Sequence, residues 1–90
     1  MSIWRIYAVY KNKNHDGALN ICGKKIRALR KKLVPAVSQR ALADMLQLTG
    51  MDLDKNAIQK IESGKRFVTD IELKAFAKVF NVSTDFLLEA

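Results

Sequence analysis

The stretch SQRALADMLQLTGMDLDKNAIQKIESGKR, residues 38–66, predicts two short helices joined by a polar segment. Ser38 is a favourable N-cap for the first helix, and either Asp52 or Asp54 can cap the second. Gly64 suits the left-handed conformation that often ends a helix. Apolar residues recur at helical spacing in both segments, so four of them are predicted to face the core: Leu42, Leu46, Ile58 and Ile61.

Three more helices are predicted around this pair. A helix over about residues 23–33 carries an apolar stripe on one face and a run of lysine and arginine on the other. Thr69 and Glu72 have the capping-box spacing that starts a helix, and Asn81 suits its end. Ser83 caps a last short helix. The predicted fold class is therefore all-α, with five short helices.

Composition excludes several classes of protein. A chain of 90 residues holds one small domain, and it contains no apolar run of the roughly 20 residues that a membrane-spanning helix needs. The single cysteine, Cys22, and the single histidine, His15, cannot build a zinc site or an internal disulfide. We therefore expect a cytoplasmic protein without a metal, a cofactor, a membrane partner or a small-molecule substrate.

Positive charge is concentrated in the first part of the chain. The net charge is +7, from 16 basic and 9 acidic residues. Residues 1–40 hold ten basic residues and one acid, whereas residues 41–90 hold six basic and eight acidic ones. A basic balance favours a polyanionic partner, either nucleic acid or an anionic membrane, although a solvated charged face is the alternative.

The helix predicted after residue 54 has a polar face whose chemistry suits DNA: Lys55, Asn56, Gln59 and Lys60. Amide side chains can bond the edge of a base through two hydrogen bonds, and lysine can reach guanine or phosphate. The alternative is an ordinary polar face in solvent. Catalysis is not predicted, because Cys22 has no base within sequence reach and the chain has no glycine-rich phosphate loop.

Four segments in a specific order carry a family resemblance: IRALR at 26–30, SQRALA at 38–43, IQKIESGKR at 58–66, and LKAFAKVFNVS at 73–83 followed by DFL at 85–87. From about Gly23 to Leu88 the chain resembles the Cro/repressor-type helix-turn-helix regulators of phages and bacteria, also called the XRE type. The resemblance implies a compact five-helix repressor-like domain. It also implies a sequence-specific transcriptional regulator of the repressor type that binds double-stranded DNA as a homodimer.

The resemblance also implies roles for individual residues. Gln39 is expected to meet the DNA backbone and support a contact of the recognition helix, and Ala43 is expected to let the two helices approach closely. Arg30 and Glu62 match a pair that forms a salt bridge in similar proteins, and the basic pair after Gly64 is expected to contact phosphate. The predicted DNA-binding set is Gln39, Arg40, Lys55, Asn56, Gln59, Lys60, Lys65 and Arg66.

Two connections depart from the family pattern. The segment over residues 46–54 is about five residues longer than the usual turn, so either the first helix of the pair is extended or the loop is longer. The link at residues 34–37 is also about two residues longer. The basic face of the helix over about residues 23–33 usually points away from DNA in this family, so its charge is expected to act through long-range attraction.

Residues 1–20 are predicted to form an N-terminal arm, and residues 21–90 the helix-turn-helix domain. Residues 1–13, MSIWRIYAVYKNK, alternate in a pattern that allows a short extended strand. The arm can pair with another copy, lie on DNA through its basic residues, or pack on its own helical core. A protein-interaction module of the same fold, such as an antitoxin-like partner, is the alternative function.

Overall fold

The computed structural model describes Asn14 and residues 16–89 of the chain. Five helices account for the regular secondary structure of this part of the chain, which contains no strand: α1 (Gly23–Lys32), α2 (Gln39–Leu48), α3 (Lys55–Glu62), α4 (Asp70–Phe80) and α5 (Thr84–Leu88). The all-α prediction is confirmed. The predicted strand at residues 1–13 lies outside the described residues.

Side-chain caps fix where four of the helices begin. The hydroxyl of Ser38 accepts a backbone N–H of the first turn of α2, and Ser83 does the same for α5. Of the two aspartates proposed for α3, Asp54 is the cap. Thr69 and Glu72 form the complete capping box at the start of α4. These local hydrogen bonds replace the helical partners that the first N–H groups lack.

The extra length between α2 and α3 lies mainly in the loop. α2 ends at Leu48, and residues 49–54 separate it from α3. Gly50 turns the chain with a φ of +91°, a conformation that glycine adopts without steric cost. Leu53 then enters the core and is only 6% exposed. The longer connection is therefore anchored to the core immediately before α3 begins.

The core is formed by residues from all five helices, and it holds α3 against α1 and α2. The four residues predicted to face it are fully buried, together with Ile26 of α1, Phe76 of α4 and Leu87 of α5. This packing leaves one face of α3 outside. No helix in the described part of the chain combines the length and the apolar character that crossing a bilayer requires.

Candidate nucleic-acid interface

The polar face of α3 is open to solvent. The two apolar residues that α3 buries completely, Ile58 and Ile61, lie on the opposite side of the helix. At 100° per residue the exposed polar side chains span an arc of about 140°. No described part of the chain covers the four residues on this arc: Lys55, Asn56, Gln59 and Lys60. As far as residues 14 and 16–89 are concerned, the arc is therefore open to a large partner.

The first turn of α3 is already capped from within the chain. The Oδ1 atom of Asp54 accepts the N–H of Ala57 at 2.8 Å. A free helix N-terminus attracts phosphate through its unpaired N–H groups, and here one of those groups is engaged by a carboxylate. One fewer free N–H group is therefore left for an anion at this end of α3, where the Lys55 side chain is also exposed.

A polar hollow of about 410 Å³ lies between α2 and the start of α3. Arg40 of α2 and Lys55 and Asn56 of α3 line this hollow, so predicted DNA-binding residues from both helices lie around it. Carboxylates share the hollow with these cationic and amide groups: Asp44, Asp52 and Asp54. A carboxylate repels phosphate but can accept a hydrogen bond from the amino group of cytosine. The three carboxylates therefore offset part of the attraction that Arg40 and Lys55 exert on phosphate.

The predicted salt bridge between Arg30 and Glu62 is present and buried. Arg30 donates from Nε to Glu62 Oε2 at 2.8 Å and from Nη2 to Glu62 Oε1 at 2.9 Å. The hydrogen bond from Arg30 to Glu62 raises the pKa of the guanidinium. Gln39 donates from Nε2 to the same Oε1 atom at 3.1 Å. The Glu62 carboxylate of α3 thus binds α1 through Arg30 and orients the half-buried side chain of Gln39, the first residue of α2.

Lys65 and Arg66 follow α3, but within the described part of the chain only the side chain of Arg66 is bound to another helix. Lys65 is exposed, and its backbone N–H donates to Lys60 O at 2.8 Å after the left-handed turn at Gly64. The guanidinium of Arg66 forms two hydrogen bonds with Glu72, both 2.9 Å, and this contact lowers the pKa of that carboxyl. Lys65 is therefore an exposed cation directly after α3, whereas Arg66 binds α4.

Sequence reasoning assigned Glu72 only to the capping box and did not identify its ion pair with Arg66. The same carboxylate accepts the Thr69 N–H at 3.0 Å and both hydrogen bonds from Arg66. The six-residue separation crosses a loop, so no helical spacing rule indicates the pair. The role of Arg66 as a phosphate contact stays a prediction, with several of its donors used inside the protein.

A comparison with protein families agrees with this geometry. The family model described as helix-turn-helix matches residues 26–87, more than half of the chain. The chain belongs to the Cro/repressor-type helix-turn-helix family. This helix-turn-helix protein therefore belongs to a family of DNA-binding regulators. No curated protein and no solved structure gives a significant match.

Proposed function

We propose that this helix-turn-helix protein is a cytoplasmic, sequence-specific transcriptional repressor that places α3 in the major groove of double-stranded DNA. The observation that carries the proposal is the polar arc of α3, which no described residue covers and which Ile58 and Ile61 anchor to the core on the opposite side. The major groove, roughly 12 Å wide, admits an α-helix and displays a distinct pattern of donors and acceptors for each base pair. An exposed helix with amide and lysine side chains suits that groove.

The side chains on this surface divide into two roles. Asn56 and Gln59 have amides that can form paired hydrogen bonds with the edge of a base, which provides specificity. Phosphate contacts, which provide affinity and register, are assigned to basic and amide groups around them: Gln39, Arg40, Lys55, Lys60 and Lys65. Arg66 is proposed to contribute mainly by holding the turn after α3 to Glu72.

A homodimer fits the small size of this surface. α3 has only eight residues, so one copy can read only a short stretch of base pairs. Two copies related by a two-fold axis would read two half-sites about one helical turn, roughly 34–36 Å, apart. We therefore expect a palindromic operator with that spacing or a multiple of it.

Selection of bound sequences from random duplex DNA at two salt concentrations tests the proposal. The expected result is an enriched, two-fold-related sequence, with an affinity that falls steeply as salt rises. Each phosphate neutralised contributes a slope of roughly −0.9 in log affinity against log salt. Enrichment of no sequence, together with weak salt dependence, would contradict DNA recognition and favour the protein-interaction function.

Gln59→Ala tests the assignment of the base-reading residues. The variant is expected to lose preference at one position of each half-site and to cost roughly 1–3 kcal/mol in binding, because a base loses its amide partner. Gln47→Ala is the matched control, since Gln47 is an exposed glutamine of α2 outside the proposed set. A selection profile for Gln59→Ala identical to that of the wild type would show that Gln59 does not read a base.

A further inference from the structure

Asn20, which precedes the segment that matches the family, links the start of α1 to the end of α3. Its Nδ2 atom donates to Ile61 O at 3.0 Å and to Arg66 O at 2.8 Å. Its Oδ1 atom accepts the N–H of Gly23, the first residue of α1, at 2.7 Å. A single half-buried amide therefore joins the start of α1 to two backbone carbonyl groups that lie 41 and 46 residues after Asn20.

The neighbouring backbone strengthens this link. The N–H of Leu19 donates to Gly64 O at 2.9 Å, so the chain before α1 runs along the turn that follows α3. Gly23 lies so close to Ile61 O that a Cβ atom at position 23 would collide with this carbonyl oxygen. Such a close approach requires glycine and keeps the start of α1 against the last turn of α3.

The consequence concerns Lys65, which lies between two fixed points. Its own N–H is bound to Lys60 O, and the carbonyl of the next residue, Arg66, is bound to Asn20. The Arg66 side chain is bound to Glu72 in turn. The backbone at Lys65 is thus held on both sides while the lysine side chain is exposed. A group held in place before binding loses less conformational entropy when it binds.

We propose that Asn20 is a positioning residue for DNA binding, which holds the turn at residues 64–66 so that Lys65 meets a phosphate. The proposal rests on the DNA-binding function proposed above and extends the recognition unit beyond the segment matched by the family, to residues 19–23. Asn20 does not touch DNA itself. It acts through the backbone of the turn, so its effect depends on Lys65 being present.

Asn20→Ser separates this role from the hydrogen bond that Asn20 accepts at the start of α1. A serine hydroxyl can still accept the Gly23 N–H, as the serine caps of α2 and α5 accept the N–H three residues after them. It has a single proton, however, and cannot donate to both Ile61 O and Arg66 O. The protein–DNA dissociation constant is measured over a range of salt concentrations, on the selected operator and below the melting temperature of every variant. The expected result is a roughly ten-fold weaker affinity, as for the loss of one charge-assisted contact between Lys65 and a phosphate, and a salt slope about 0.9 smaller for each half-site.

A double-mutant cycle with Lys65→Ala identifies the mechanism. If Asn20 acts through Lys65, then Asn20→Ser lowers the affinity of Lys65→Ala protein very little, because the contact it positions is already absent. The base preference stays unchanged in all three variants. Lys31→Ala is the charge-matched control: Lys31 is exposed on α1, and its removal is expected to leave the effect of Asn20→Ser at full size.

The outcomes separate this proposal from the proposed function. Wild-type protein that shows no salt-dependent binding to DNA overturns the function and the role of Asn20 with it. Wild-type binding combined with additive effects of Asn20→Ser and Lys65→Ala, or with an unchanged slope in Asn20→Ser, overturns only the positioning role. Hydrogen exchange gives a test without variants: the Lys65 N–H is expected to exchange slowly, and exchange as fast as in a free loop also overturns it.

Discussion

Two buried glutamates, Glu62 and Glu72, each bind an arginine through both carboxylate oxygens. The first pair was predicted through the family resemblance, because its partner in α1 matches a known position. The second was not, because it joins a loop residue to a capping residue whose local role already explained it. Sequence patterns therefore indicate the local use of a side chain more readily than its second, tertiary use.

At Glu72 this double use predicts a pH dependence. The hydrogen bond from Arg66 lowers the pKa of the carboxyl below its ordinary 4.5, so the ionised form stabilises the folded state. This stabilisation is fully present above pH 4.5 and is lost as the pH falls through the lowered value. In thermal melts between pH 7 and pH 3, Glu72→Gln is expected to lose less stability on acidification than the wild type.

The control for this experiment is Glu89→Gln. The Glu89 carboxylate is largely exposed and lies 3.8 Å from Lys25 Nζ. An ion pair so exposed to solvent contributes little to the stability of the folded protein. This variant is expected to follow the wild type across the whole pH range. A Glu72→Gln melt that declines with acid as steeply as the wild type would show that another group is responsible for the acid sensitivity.

At the scale of elements, helix starts were predictable and the connections were not. Ser38, Thr69 and Ser83 cap helices through hydrogen bonds that span three residues, so their signal is local. The path of residues 49–54 depends instead on Leu53, which packs into a core built by distant segments. The same reasoning applies to the arm: residues 19–20 contact the end of α3 more than 40 residues later, and no pattern within residues 1–20 indicates that contact.

Gly23 offers a test of how closely α1 and α3 pack. Helix propensity alone predicts that Gly23→Ala stabilises the protein, by up to about 1 kcal/mol. The collision of a Cβ atom with Ile61 O predicts the opposite, a loss of about 1–3 kcal/mol or more, because backbone must move. Chemical denaturation is expected to show the loss.

Gly50→Ala is the comparison for this variant. Its φ of +91° makes alanine unfavourable there, but nothing lies within 4 Å of the added Cβ atom. The loss at Gly50 therefore reports backbone strain alone and leaves the contact of α1 with α3 intact. A Gly23→Ala protein that is more stable than the wild type would mean that the two helices are farther apart than described.

At the scale of the whole molecule, the excess positive charge and the candidate DNA-contact surface lie on different parts of the chain. The candidate surface on α3 lies within a segment of the chain that is acidic overall, since residues 41–90 hold eight acids and six basic residues. Most of the excess charge precedes it, and much of that lies on α1 and in the arm. The sequence predicted a polyanionic partner from the total and already placed the basic run and the polar arc on two different helices, which are α1 and α3 in the fold.

This separation predicts different kinetic effects for lysines on the two surfaces. Lys31→Gln/Lys32→Gln removes two exposed charges from α1, and it is expected to slow association with operator DNA several-fold at low salt while dissociation stays unchanged. Long-range attraction acts before contact and is screened within about 10 Å at 0.1 M salt, so the difference should vanish as salt rises. Lys65→Ala removes a single charge at the proposed contact surface and is expected to speed dissociation instead. Faster dissociation of the α1 variant, equal to that of Lys65→Ala, would place the basic face of α1 on the DNA.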